Sequence, residues 1–253
     1  QNQLCTAESR VSTEERALPD PFSNRLTIVD TSDLWPFESV NAFFSRYNLM
    51  HALLVRNLTW HLHQEGYIRD EKDLAVCTPY AAQSKLIRKL IEPEEFSSNV
   101  QVGTVHSFQG DERHSIILEI PESHGGGRML GQFVQGVAPN FVGARLMNVA
   151  VSRAQENLIV LANLTHLDKF LPSTALLREI LCKMQDQGQI ISGQTILEKR
   201  PIKTDLAGLV GRIPVNVDVE KTGVFDQTEF DAAFYSDLQN AKESIVIFSG
   251  FVT

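Results

Sequence analysis

Short apolar runs of strand length alternate along this chain with longer stretches in which apolar residues recur every three or four positions. Leu26–Asp30, Leu74–Cys77, Val100–Val105, Ser115–Ile120 and Leu158–Ala162 are the strand-like runs. Helical spacing fills the gaps between them. Phe43, Phe44, Tyr47, Met50, Leu53, Leu54, Leu58 and Leu62 predict one long amphipathic helix from Val40 to Gln64, with Gly66 as its C-cap. Further helices are expected over Ala81–Ile91, halted by Pro93, and over Leu146–Ala154 and Thr174–Met184. Strands separated by helices on short connections pair in parallel, so the expected fold is α/β, a parallel sheet with helices on both faces.

Other segments carry weaker signals. Residues Gln1–Asn24 read as a loop, and the Gly-rich stretch Pro121–Gly136 reads as an exposed excursion that includes the flexible run His124–Arg128. Beyond Gln187 the chain reads as loop to about Arg212. A helix is then expected over Thr228–Ala241 and a strand over Ser244–Ser249. The expected division is a leader over residues 1–25, an α/β domain over 26–187, a linker over 188–224, and the start of a further domain over 225–253 that Thr253 cuts short.

Composition narrows the class. No stretch approaches the ~20 apolar residues of a membrane span, so no membrane partner is expected. The polar, acidic beginning lacks the apolar core of a signal peptide. Cys5, Cys77 and Cys182 are widely spaced and odd in number, which points to a reducing, cytoplasmic setting rather than a disulfide framework. Cys77, inside an apolar run, reads as a buried small hydrophobe. A net charge of −8 does not by itself suggest nucleic acid, although a groove that grips one strand needs only a few well-placed donors.

Three segments concentrate chemistry beside the strands. Thr78-Pro79-Tyr80-Ala81-Ala82-Gln83 follows one strand and opens a helix, whose free N–H groups suit a phosphate oxygen; Thr78 as a plain helix cap is the alternative. Thr104-Val105-His106-Ser107-Phe108-Gln109-Gly110-Asp111-Glu112 gathers hydroxyls, an imidazole, an amide and two carboxylates between two strands, more than a turn requires. Leu146–Ala154 sets Asn148 and Ser152 on one helix face with Arg153 beside them. That arginine reads either as a surface partner of Glu156 or as a cation for a transferred phosphoryl group. His61 and His63 point about 200° apart on a helix, a poor arrangement for a shared metal, and read as solvated.

TPYxxQ, TVHSFQGDE and NVAVSRA followed by NLIVLAN resemble, in order and spacing, the second motor domain of superfamily 1 helicases, in the branch typified by the nonsense-mediated decay helicase. The likeness runs from about Leu26 to Asn163 and takes in SRYNLMHALLV. It implies a RecA-like domain. Thr78, Tyr80, Thr104 and Ser107 would lie along single-stranded nucleic acid. Gln109, Gly110 and Glu112 would face the nucleotide, Glu112 on its ribose, and Arg153 would be the arginine finger. His106 stands where the family has an acidic residue; contact with a nucleic-acid phosphate and local packing both remain open. The sequence contains no GxxxxGK[ST], so ATP and magnesium would be held mainly by an upstream motor domain of the same parent. This chain alone would then neither hydrolyse ATP nor unwind a duplex. No metal ligands are expected within it.

The tail FYSDLQNAKESIVIFSGFVT resembles the opening helix and strand of phospholipase D-like domains, although no histidine here sits in an HxK motif. A helix and strand completing the preceding domain is the alternative. At the level of function the competing readings are a non-catalytic nucleic-acid-binding module and the motor portion of a phospholipase D-like nuclease.

Overall fold

The computed structural model describes residues 17–41, 43–108, 112–125, 130–136, 142–198 and 239–240. The chain divides after Pro201 into two compact units. In the second unit only Gln239 and Asn240 are described, both helical, so the rest of the expected tail helix and the tail strand lie outside the described residues.

The first unit is built on six parallel strands: β1 (Leu26–Asp30), β4 (Leu74–Thr78), β5 (Val100–Thr104), β6 (Arg113–Glu119), β7 (Ala154–Ala162) and β8 (Gln189–Ser192). Their order across the sheet is β5-β4-β6-β7-β1-β8. Successive residues along a strand enter opposite faces, and both faces are covered, which is why these strands are almost continuously apolar. On one face Ile28, Cys77, Ile116, Leu118, Leu158 and Val160 pack with residues of α4 (Val142–Ser152), α5 (Leu164–Phe170) and α6 (Leu176–Gln187). On the other face Val29, Val76, Ile117 and Ile159 pack with α1 (Leu49–Gln64), α2 (Ala81–Ile91) and α7 (Gly193–Glu198). This is a RecA-like α/β arrangement. Among the described residues no helix is long and apolar enough to cross a membrane.

Strands β1, β4, β5, β6 and β7 and helix α2 fall close to where hydrophobic periodicity puts them. Gly66 terminates α1 in a left-handed conformation (φ 68°). Its N–H bonds the His63 carbonyl and the next N–H, of Tyr67, bonds that of Leu62, so two of the helix's last carbonyls are satisfied.

Several expectations are overturned. The long helix from Val40 is instead a hairpin, β2 (Glu38–Val40) with β3 (Arg46–Asn48), followed by a shorter α1. Asn48 Oδ1 accepts the His51 N–H at 3.1 Å, so a polar cap starts the helix at Leu49 despite apolar residues upstream. Thr78 does not cap α2: the N-cap residue is Tyr80, and Thr78 ends β4. The Pro121–Gly136 stretch is not an exposed excursion where it is described, because Glu122, Ser123, Leu130, Phe133 and Val134 are buried and a short helix α3 spans Gln132–Gln135. The expected loop and linker after Gln187 begins instead with β8, paired with β1 from Thr27↔Gln189 to Asp30↔Ser192, and with α7. Gly188 permits that turn, since a Cβ there would lie 2.3 Å from the Leu26 carbonyl oxygen. Nor is His61 solvated: Leu18 and Phe22 of the expected leader join the core beside α1, and the Asp20 carbonyl lies 2.6 Å from His61 Nε2.

Candidate functional site

Parallel strands put all their carboxyl ends on one edge of the sheet, and there β4 and β5 deliver Thr78 and Thr104 side by side in register. The structure brings Thr78, Tyr80, Thr104 and Ser107 to this edge, though not all with free side chains. Thr78 is fully buried, and its hydroxyl donates to Glu119 Oε2 at 2.7 Å. Tyr80 is half-buried and donates its hydroxyl to Glu122 through a short bond. Ser107 is exposed on the 3₁₀ turn Val105–Phe108, donating to the Thr104 carbonyl at 2.7 Å. Any strand contact by Thr78 therefore falls to its backbone.

Beneath this edge lies a buried polar network that the sequence reading did not assign. Glu119, the last residue of β6, is fully buried and accepts from Thr78, from Gln83 Nε2 at 3.1 Å and from His51 Nδ1 at 3.0 Å. His51 is occupied on both ring nitrogens, with Thr31 Oγ1 2.8 Å from Nε2. Gln83 in turn accepts the Asn48 N–H at 2.8 Å, and Asn48 Nδ2 reaches Ser123 Oγ at 3.2 Å. Glu38 accepts the Ser123 N–H at 3.1 Å and pairs with Arg46 across the hairpin. Full satisfaction makes such a network rigidifying rather than costly. Glu122 is the exception. Burial pushes its carboxyl up to about 7, against the pull of the Tyr80 hydroxyl, and Oε2 has no hydrogen-bond partner. Burial also raises Tyr80 and Glu38 above their ordinary values. The signal was present in the carboxylates that end and follow the apolar run of β6, and in the final Gln of TPYxxQ.

The nucleotide-facing candidates stand elsewhere. Glu112 precedes β6 and Arg153 precedes β7, so both lie at the amino ends of the strands, where Arg113 pairs with Ala154. The Arg113 N–H donates to the Arg153 carbonyl at 3.0 Å, and Gln155 Nε2 donates to Glu112 Oε2 at 3.0 Å. Arg153 sits on the turn that leaves α4, half-buried, with its Nε buried and without a hydrogen-bond partner. Asn148 and Ser152, on the preceding helix, are exposed. The length of β6 separates the two groups, about 20 Å at ~3.3 Å per residue. Gln109, Gly110 and the side chain of His106 lie outside the described residues.

Neither described cavity contains the candidate residues. One of about 200 Å³, between Leu18, Phe22, Asn24, Arg25 and Asn157, falls below the roughly 300 Å³ at which small-molecule pockets begin. A larger groove of about 590 Å³ runs between α2 and the edge strand β5, with Lys85, Arg88 and Lys89 on its rim. Among the described residues no group of three or more His, Cys, Asp or Glu could hold a metal ion.

Comparison with known proteins adds an independent finding. Residues 1–165 match a family described as an AAA domain. The chain is 31% identical over 125 residues to the DNA polymerase alpha-associated DNA helicase A of Saccharomyces cerevisiae, covering 49% of this chain and 17% of that protein. It is 34% identical over 94 residues to the Schizosaccharomyces pombe protein of the same name, covering 37% and 13%. To the DNA replication ATP-dependent helicase/nuclease of Xenopus laevis it is 29% identical over 143 residues, covering 56% and 12%. The matched stretch spans less than a fifth of the length of each of these relatives. The family match takes in the sheet from β1 to β7 and both groups of candidate residues, and on that ground this chain belongs to the AAA-domain family.

Proposed function

We propose that this chain is the second motor domain of an ATP-dependent helicase or translocase that acts on single-stranded nucleic acid. The observation that carries the reading is the placement of Glu112 and Arg153 at one edge of the sheet, each one residue before the strand pair Arg113↔Ala154. These residues, forty-one positions apart in sequence, stand at the start of β6 and β7, and Arg153 keeps a buried Nε without a hydrogen-bond partner. A guanidinium and a carboxylate brought to the same edge of the sheet suit a γ-phosphate and a ribose presented by another domain. Arg153 is assigned as the arginine finger, Glu112 as the ribose acceptor, and Gln109 and Gly110 as its neighbours on the nucleotide. Thr78, Tyr80, Thr104 and Ser107 are assigned to the strand, Thr78 through its backbone. ATP and magnesium are assigned mainly to an upstream motor domain, because this sequence carries no GxxxxGK[ST] loop to hold the phosphates.

The relatives' names, which include DNA helicase and ATP-dependent helicase/nuclease, support DNA as the substrate. We place the chain in the nonsense-mediated-decay-helicase-like branch on the wording of its motifs. The motor half is proposed to run from residue 26 through α7, and residues 225–253 to open a phospholipase D-like domain.

The test is nucleic-acid-stimulated ATP hydrolysis by this chain joined to its first motor domain, with Arg153→Ala alongside. Loss of the finger should lower turnover by roughly 10³–10⁵ while the protein stays folded. Equal turnover in the two proteins would refute the assignment.

A further inference from the structure

The hairpin β2–β3 ends in two adjacent phenylalanines, Phe43 and Phe44, each 88% exposed. Their setting is unusual for a solvent turn. Phe44 adopts φ 58°, a left-handed conformation rarely taken by bulky residues. In hairpins closed by a short turn this slot normally falls to glycine. The tip is nonetheless firmly held. Asn41 Oδ1 accepts the N–H groups of Phe43 and Ser45 at 2.9 and 3.0 Å, and the Asn41 carbonyl accepts that of Phe44 at 3.0 Å. The base of the hairpin is tied down as well, by the Arg46–Glu38 pair and by Ser45 Oγ, which accepts the Ala82 N–H at 3.0 Å. Two large rings are therefore presented to water on a strained, rigid support.

That anchor is informative. Ala82 lies in the first turn of α2, two residues past Tyr80, so the hairpin stands beside the edge assigned above to the single strand. The same helix carries Lys85, Arg88 and Lys89, spaced to share a face and all exposed. Aromatic rings next to a row of cations are what a sequence-tolerant single-strand site requires, the rings for base faces and the cations for phosphates. Another exposed aromatic, Trp35, is also left-handed (φ 48°), between β1 and the hairpin.

We propose that Phe43 and Phe44 form a stacking platform for the bases of single-stranded nucleic acid, with phosphates running toward Lys85 on α2. This rests on the nucleic-acid reading above and adds a contact that reading does not contain. Pre-organisation explains the strained phenylalanine: a ring already fixed loses little freedom when a base stacks on it.

The test measures binding of the full chain, by fluorescence anisotropy, to an oligothymidylate of about 15 nucleotides and to an abasic strand of the same length. Wild type should prefer the strand with bases by about fivefold or more. Phe43→Ala/Phe44→Ala should lose that preference while its affinity for the abasic strand stays unchanged. Phe43→Leu/Phe44→Leu, which keeps apolar area but no ring, should behave the same way. Phe44→Gly, which relieves the backbone, should melt higher than wild type yet show a weaker base preference, which separates the stacking role from folding. Wild-type base preference in the alanine or leucine variant would overturn the platform while leaving the groove reading intact. Loss of self-association in the alanine variant with strand binding unchanged would reassign the tip to a protein contact. Binding of neither strand by wild type would remove both readings.

Discussion

Glu122 offers the sharpest test of the energetics at the carboxyl edge. Its carboxyl is fully buried, receives the Tyr80 hydroxyl, and is displaced by burial from an ordinary 4.5 to about 7. In the unfolded chain the group ionises near its ordinary value. The folded state therefore binds a proton that the unfolded state has released, throughout the interval from about 4.5 to about 7. The sign follows directly. The stability that the protonated group contributes is fully present below the unfolded value and is lost as pH rises through the folded one. A displacement of about 2.5 units at 1.36 kcal/mol per unit is worth about 3 kcal/mol in all, of which about 2.5 falls between pH 5 and pH 8.

Glu122→Gln removes the titration while keeping the shape and an acceptor for Tyr80. Urea unfolding of the two proteins at pH 5, 6.5 and 8 isolates the contribution, because every other titrating group cancels in the difference. Relative to wild type, the glutamine variant should gain about 2–3 kcal/mol on going from pH 5 to pH 8, equivalent to a melting shift of about 5–10 °C in a domain of this size. Parallel stability curves for the two proteins, or a gain toward low pH, would refute the reasoning.

The same surroundings and the core yield further expectations. Gly131→Ala would place a Cβ 1.7 Å from Tyr80 Oη, so Tyr80 must leave Glu122; the pH dependence described above should change with it, and the tyrosine's near-ultraviolet dichroism should weaken. Thr78→Val keeps volume but deprives buried Glu119 of a donor, and should cost about 1–3 kcal/mol in urea unfolding. A fall in strand affinity beyond what that instability explains would return the Thr78 side chain to the binding surface. Burial pushes the Cys77 thiol up to about 12, so in native protein at pH 8 a maleimide should label the exposed Cys182 and reach Cys77 only after denaturant is added.

What could be read from sequence, and what could not, divides on how far apart the deciding partners lie. Strands β1, β4, β5, β6 and β7 and the helix α2 announce themselves through runs of neighbours, and their periodicity survives folding because both faces of the sheet are buried. The hairpin did not, since Phe43, Phe44 and Tyr47 imitate helical spacing while Asn41 and Asn48, two polar residues, decide the backbone. β8 was equally hidden: its four residues are too few to show a period, and pairing with Thr27–Asp30, more than 160 positions earlier, is what makes them a strand. The candidate site shows the same division. Thr78, Tyr80, Thr104, Ser107, Glu112 and Arg153 stand inside short motifs, whereas the Glu119 network joins both ends of the Thr78–Gln83 motif to Thr31 and His51 on two other stretches. The residues proposed to meet a ligand sit close together in short motifs, because that chemistry is local. The groups that hold those residues still are contributed wherever the fold happens to bring a donor to an acceptor. For Thr78 the distinction narrows the proposed contact, since its hydroxyl serves Glu119 and leaves the backbone as the part that could meet a strand.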